Sequence, residues 1–366
     1  MPKRVGIGMV GLDQWYTAFL VLGEASKRAD LHVVGVADRS RKRFSEIAQK
    51  YSSGYVTSDP RKVTADPDVQ LICCQLNTRD NVGVVRQALE AGKHVACVKP
   101  MAMTLRQADA LIQLAEDQGL VLWSFDQMGG ARAGHLKSLV KRGAIGQPIS
   151  FYQTMWAGLP LPWHDRTGPS WWIDPELVPF GAWADHAIYT IDMLRALFEA
   201  EVVAVQGEMS NQRYPRLRLE DYGVATLRFS SGLVAVVEQT WTGGPYYPHW
   251  TKIVGTNGII HMDPAVNGGA PTLATESDLK PIKMPARRRA GALDVVLSII
   301  REGQAKPSPA RQSRTNLAIA LAAYKSSATG KQIRLQGGRA GVYPACPEPS
   351  RGKRNRRAPR RPLSFL

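Results

Sequence analysis

The sequence predicts a doubly wound parallel α/β domain followed by an α+β domain built on a large, mainly antiparallel, open-faced sheet. Three observations predict it. Short apolar runs alternate with helix-like stretches through residues 1–125. Beyond residue 148 the strand-like runs lengthen and are joined by hairpin signals. At 366 residues, 44% of them hydrophobic and 21% charged, the chain is long enough to bury two cores and has the balance of a water-soluble protein.

Residues 4–11 form a nearly continuous apolar run, as expected of a strand buried on both faces. A helix is predicted from about Gln14 to Lys27, a strand over Leu31–Asp38 and a helix over Arg41–Lys50. Strands recur at 69–75, 93–98 and 119–124, with helices at 80–91 and 104–118 between them. Such alternation implies right-handed crossovers and a doubly wound, Rossmann-type sheet. The second half, 126–336, opens with a helix at 130–142, then a strand at 148–156 and a loop rich in Trp and Pro. A helix at 181–198 precedes strands near 202–209, 222–229, 233–241, 251–255 and 258–262. Asn257-Gly258 is a strong two-residue hairpin signal. Helices at 290–303 and 311–328 should pack on this sheet or return to the first domain.

The net charge of +16 is unevenly spread: residues 337–366 carry +7, leaving +9 for the rest. That segment is rich in Pro, Gly and Arg and poor in apolar residues, so it is expected to be a disordered basic tail with no specific nucleic-acid partner. No apolar stretch approaches the ~20 residues that span a bilayer. With no secretory signal at the N-terminus, a cytoplasmic location is expected. Cys73, Cys74, Cys97 and Cys346 lack Cys-x-x-Cys spacing, so neither a metal site nor a redox site is expected.

The chemistry is sought around Lys99-Pro100, which ends a predicted strand at the sheet's carboxyl edge, where open parallel sheets bind ligands. Pro100 bars Lys99 from the helical region. Gly6-Ile7-Gly8-Met9-Val10-Gly11 spells a dinucleotide fingerprint, but Gly6 and Gly8 fall inside the strand. The functional turn should therefore begin at Gly11 and run through Leu12, Asp13, Gln14 and Trp15, with Asp13 and Tyr16 where glycines usually stand. A carboxylate there repels a pyrophosphate, while the helix N-terminus still favours it. Asp38 stands where an acid binds the adenosine ribose, which favours NAD; alone it would serve equally well as a helix N-cap. Arg39, Arg41, Lys42 and Arg43 follow it and could hold the 2′-phosphate of NADP instead.

At this point the chain resembles the Gfo/Idh/MocA oxidoreductases, which include glucose–fructose oxidoreductase and inositol dehydrogenase. The resemblance covers about residues 3–335 and rests on Ala65-Asp-Pro-Asp-Val69, Ala88-Leu-Glu-Ala-Gly-Lys-His-Val95, Lys99-Pro100, the segment Gly181–Asp192 and Ile253–Gly258. It implies hydride transfer between a nicotinamide and a sugar, polyol or related carbonyl. It places the family's lysine at Lys99 and its Asp-x-x-x-His pair at Asp185 and Tyr189, with Asn77 among the cofactor contacts. Three positions depart from the family pattern: Val98 replaces the Glu before the lysine, Tyr189 replaces the histidine, and the segment after the fourth strand reads Asn77-Thr78-Arg79-Asp80-Asn81.

Asp185, Tyr189 and Asp192 share one helix face, whereas His186 points elsewhere. A phenol with pKa near ~10 is a poor acid–base at neutral pH, but an adjacent cation favours phenolate. Lys99 is expected to act so on Tyr189 while binding the reacting oxygen. Asp185 would orient Lys99 or accept from a substrate hydroxyl. Five of the nine tryptophans, at 156, 163, 171, 172 and 183, cluster in sequence. Trp163 and Trp172 could wall a substrate pocket, with His164 and Asp165 contacting hydroxyls and Asp192 a further substrate residue, or the cluster could be core and oligomer-interface packing. An uncovered sheet face would suit a homodimer or homotetramer. Two other readings stay open: a lyase or decarboxylase that keeps the cofactor without net redox change, and a noncatalytic nucleotide-binding protein.

Overall fold

Short strands of small and β-branched residues form the first sheet. In a computed structural model, which describes residues 4–160, 170–244, 249–263, 270–282, 291–303 and 305–335, these are β1 (Val5–Val10), β2 (Leu31–Ala37), β3 (Tyr55–Thr57), β4 (Leu71–Cys74), β5 (His94–Cys97) and β6 (Leu122–Ser124). All pair in parallel, in the order β3-β2-β1-β4-β5-β6. The strand order reverses between β1 and β4, which opens a crevice at their carboxyl ends. Helices α1 (Trp15–Ala25), α2 (Phe44–Tyr51), α3 (Pro60–Thr64), α4 (Thr78–Glu90) and α5 (Leu105–Asp117) connect the strands. Alternate residues of β1 feed two cores: Ile7 and Met9 pack with Val21 and Leu22, Val10 with Ile72 and Val85. The sheet is therefore buried on both faces. The strand β3 and helix α3 carry no apolar run and were not expected from the sequence.

Gly6 and Gly8 are packing glycines, as their in-strand position predicts. A Cβ on Gly6 would collide with the Asp68 carbonyl oxygen, and one on Gly8 would lie 2.7 Å from Val63 and 2.8 Å from Ile72. Two of the family-like segments meet here: Lys93 Nζ donates to the carbonyls of Asp66 and Val69 at 2.7 and 2.8 Å. They hold the scaffold and are remote from chemistry. Cys73, Cys74 and Cys97 are buried, and burial pushes their thiols up, so they behave as small apolar residues.

The second sheet comprises β7 (Pro148–Trp156), β8 (Val202–Ser210), β9 (Tyr222–Phe229), β10 (Val234–Thr240), β11 (His249–Gly255), β12 (Ile259–Met262), β13 (Thr272–Ala274), β14 (Leu279–Pro281) and β15 (Ile333–Arg334). Its order is β14-β13-β12-β11-β7-β10-β9-β8-β15, with every neighbour antiparallel except the central β7–β10 pair. The Asn257-Gly258 hairpin joins β11 to β12 as expected. Among the remaining helices, α6 (Gly130–Lys141), α7 (Ala182–Phe198), α8 (Asp294–Arg301) and α9 (Ala310–Thr329), α7 and α9 cover one face of this sheet. Helix α8 returns to the first core through Val296 and Leu297. Helix α9 touches both sheets, packing on β8 and on α5 and β6. On the opposite face Tyr152 and Trp156 remain 47% and 43% exposed, an aromatic surface extended by Trp250 edge-on to Trp156. No described helix is long and apolar enough to cross a membrane. The basic segment 337–366 lies outside the described residues.

Two glycine substitutions separate packing from propensity. Gly6→Ala is expected to destabilise the protein by about 1–3 kcal/mol through overpacking. Gly83 lies inside α4, where a Cβ would meet nothing within 4 Å. Gly83→Ala is therefore expected to stabilise by about 0.5–1 kcal/mol. Denaturant midpoints of the two variants check both signs.

Candidate active site

Strand β5 delivers Lys99 to the carboxyl edge, and the Lys99–Pro100 peptide bond is cis. The ammonium faces α7, whose first turn is fixed from outside the helix. Gly181, its N-cap, lies so close to Glu220 that a Cβ would strike the Glu220 carbonyl oxygen. The Glu220 carboxylate accepts from Gly181 N and Trp183 N at 3.1 and 3.0 Å, which favours negative charge at the helix N-terminus. Burial nevertheless pushes Glu220 up to about 7.

This anchoring aims Asp185 at Lys99. Lys99 Nζ donates to Asp185 Oδ1 at 2.7 Å and to the Asp185 carbonyl, and Lys99 is 1% exposed. Trp241, a residue the sequence reading missed, donates its indole N–H to Asp185 Oδ2 at 3.0 Å. Its one signal was a tryptophan ending a predicted strand, since a buried indole N–H needs an acceptor. Burial depresses the Lys99 pKa, and Asp185 opposes that shift without overcoming it. Burial pushes Asp185 up, but the charges of His186 and Lys99 and the hydrogen bonds from Lys99 and Trp241 outweigh it and hold the carboxyl below its usual range. Among the described residues, both acceptors of Lys99 Nζ belong to Asp185.

Tyr189 corrects an expectation. The ammonium sits over its ring, 4.7 Å from the centroid, in a cation–π contact rather than at the hydroxyl. Burial, with Tyr16, Asp185 and Asp126, pushes the phenol well above its ordinary value, so Lys99 does not make it a phenolate. His186 also departs from expectation: its Nδ1 lies 3.4 Å from Asp185 Oδ2, and burial lowers its pKa.

Trp172 is packed between Trp171 and Lys99. Trp171 stacks on one side at 4.3 Å, Lys99 Nζ lies 4.2 Å from its ring centroid, and it is 5% exposed. Its indole N–H donates to Gln14 Oε1 at 3.0 Å, while that of Trp171 donates to the Asp13 carbonyl at 2.9 Å. Asp192 accepts from Asn316, whose amide also serves the buried Asp126, so it is engaged with the helix interior; burial pushes it up to about 6. Trp163, His164 and Asp165 lie outside the described residues.

The crevice between β1 and β4 holds the remaining predicted residues. Gly11 has φ +82°, a left-handed conformation suited to glycine, and its missing Cβ makes room for Leu76. Leu12 buries its side chain in the core, so only its backbone faces the turn. Gln14 N donates to the Gln75 carbonyl at 3.0 Å, and Gln14 Nε2 donates to the Tyr16 hydroxyl. Trp15 opens α1 with its ring edge-on to Tyr16. Asp13 does not stand bare before a phosphate, because its Oδ2 accepts from Asn77 N and Nδ2 at 2.8 and 3.0 Å. Asn77 is the N-cap of α4. Asp38 accepts from Ser40 N at 3.1 Å and does not cap the helix after it.

These residues fit a dinucleotide. The left-handed glycine turn leads into the N-terminus of α1, and Asp38 ends the second strand. Both ends of the Gln75 amide and the Thr78 hydroxyl lie buried at the same edge without a partner among the described residues, polar groups that a bound ligand can satisfy.

The fold and crevice define a two-domain, dinucleotide-dependent oxidoreductase. Residues 5–125 match the model of an oxidoreductase family with an NAD-binding Rossmann fold, and residues 134–261 match the GFO/IDH/MocA C-terminal domain. The chain belongs to the GFO/IDH/MocA family. It is 26% identical over 318 residues to 1,5-anhydro-D-fructose reductase of Ensifer adhaerens, covering 84% of this chain and 92% of that one. With myo-inositol 2-dehydrogenase of Thermotoga maritima it shares 26% identity over 264 residues, 70% and 75% of the two chains. Among solved structures, aldose-aldose oxidoreductase of Caulobacter crescentus complexed with glycerol superposes with a TM-score of 0.78 at 21% identity, over 91% of this chain and all of that one. Levoglucosan dehydrogenase in complex with NADH and L-sorbose gives 0.75 at 23%, over 91% and 99%.

Burial pushes the Asp38 carboxyl up to about 6, with the Asp13 charge adding to the shift. The ionised form accepts ribose hydroxyls best, so NADH affinity is expected to weaken about fivefold as pH falls through 6. Asp38→Asn should flatten that dependence, as titration by energy transfer from tryptophan to the nicotinamide would show.

Proposed function

We propose that the chain is an NAD(H)-dependent oxidoreductase acting on a polyhydroxylated small molecule: a sugar, polyol or related hydroxy or carbonyl compound. The observation that carries this reading is the Lys99 ammonium, buried at the crevice edge and held by Asp185. The sugar and polyol names of the relatives support the substrate class.

Bound NAD(H) supplies or takes the hydride. Lys99 binds the reacting oxygen, stabilises developing alkoxide charge and exchanges the proton with it. Its lowered pKa brings that exchange nearer neutrality than an exposed lysine would allow. Asp185, with both oxygens bonded, is a positioning residue that fixes Lys99. Tyr189 stays a neutral phenol beneath the ammonium, its hydroxyl bonded to that of Tyr16. Trp163 and His164, in the loop between β7 and α7, remain proposed substrate contacts. The exposed aromatic face bearing Tyr152 and Trp156 supports assembly as a homodimer or homotetramer.

A screen of sugars and polyols with NAD, followed by Lys99→Met on the best substrate, tests the reading. Turnover should fall by about 10²–10⁴-fold while NADH binding is retained. Turnover within about threefold of the unaltered protein would refute the lysine's role, since loss of the proton-transferring group costs far more.

A further inference from the structure

Arg39 follows the ribose acid directly, the place from which a guanidinium would meet an adenosine 2′-phosphate. It is turned away from that task. Its terminal nitrogen lies 2.6 Å from Asp80 Oδ2 and 3.5 Å from Asp13 Oδ2, reaching across the crevice from β2 to the first turn of α4. Neither carboxylate is free to swing off. Asn77 Nδ2 donates to both, at 2.9 Å to Asp80 and 3.0 Å to Asp13, and Asn77 Oδ1 accepts from Asp80 N at 3.1 Å. Arg79 Nε holds the other Asp80 oxygen at 3.0 Å. Burial opposes ionisation of Asp80, but the bonds from Asn77, Arg79 and Arg39 hold it below the usual carboxylate range.

Arg41, two residues beyond Arg39, is turned elsewhere. Arg41 donates to Ser58 Oγ at 3.3 Å, beyond β3. The crevice rim then sets three carboxylates, Asp13, Asp38 and Asp80, against the two guanidiniums of Arg39 and Arg79. A 2′-phosphate monoester, carrying about −1.5 to −2 near neutrality, would meet in Arg39 a guanidinium already paired with Asp80 and Asp13.

We propose that Asp80, with Asp13 and the clamp of Asn77, makes the chain selective for NAD(H) by withholding Arg39 from the 2′-phosphate of NADP(H). The selectivity works by occupation: a cation of the right type is present but already paired. The inference rests on the dinucleotide lying at the Gly11 turn.

Titrations with NADH and NADPH, read by tryptophan quenching, test it without a substrate. The unaltered protein should bind NADH more tightly. Asp80→Asn, nearly isosteric, should tighten NADPH by about tenfold, the scale of one charge-assisted contact. NADH should move by less than about threefold, because its ribose diol does not need Arg39. Asp80→Glu, which keeps the charge, should keep the original preference, and Arg39→Ala in the Asp80→Asn background should abolish the gain. An unchanged NADPH-to-NADH ratio in folded Asp80→Asn, or a gain that survives loss of Arg39, would overturn the role of Asp80 while leaving the cofactor site intact. Failure of the folded, unaltered protein to bind either nucleotide would overturn the site itself, and this inference with it.

Discussion

A lysine ammonium that is 1% exposed must be paired where it sits, and the pair of Lys99 with Asp185 is the constraint around which the site is built. The cost of removing both charges from water is met only if geometry is tight and the remaining polar groups are satisfied. Here the carboxylate takes Lys99 on one oxygen and the Trp241 indole on the other, while the ammonium also reaches the Asp185 carbonyl. The rings of Trp172 and Tyr189 supply the rest of its surroundings with their electron-rich faces. Because Lys99 hangs from the first sheet and Asp185 from a helix on the second, the pair also fixes how the two halves meet.

The second consequence concerns the crevice. Trp171 and Trp172 bond to Asp13 and Gln14, so the loop before α7 is fastened to the nucleotide turn itself. The carboxylate of Asp13, which looked hostile to a phosphate, is absorbed by Asn77 and Arg39. Substitution of a turn glycine therefore does not leave an unpaired charge in the crevice. Instead it ties the ends of β1 and β2 to the first turn of α4 in one polar network.

What could be read from the sequence depended on whether a residue's role is local. Strands β1, β2, β4 and β5 were legible because burial on both faces demands continuous apolar runs, and β7 and β9 because long strands carry their own pattern. The three-residue β3, β13 and β14 and the two-residue β15 were not, since strands so short leave no periodic signal. The placement of Lys99, Gly11 and Asp38 at strand ends was legible because strand ends are local features. The surroundings of Tyr189, Trp172 and Asp192 were not legible, since each has a partner distant in sequence: Lys99 over a ring face, Gln14 at an indole, Asn316 at a carboxylate. Trp241 and Asp80 were missed for the same reason. Their neighbours in the chain say nothing of the groups they hold.

The central claim is that the Lys99–Asp185 pair acts as one unit holding the site together, and a double-mutant cycle in unfolding free energy tests it most directly. Lys99→Met or Asp185→Leu alone leaves a buried charge unpaired and should cost about 3–5 kcal/mol. The double variant should cost markedly less than the sum, with a coupling of at least about 2 kcal/mol. Additive single costs would contradict the account, because the two charges would then be stabilised independently and not by each other.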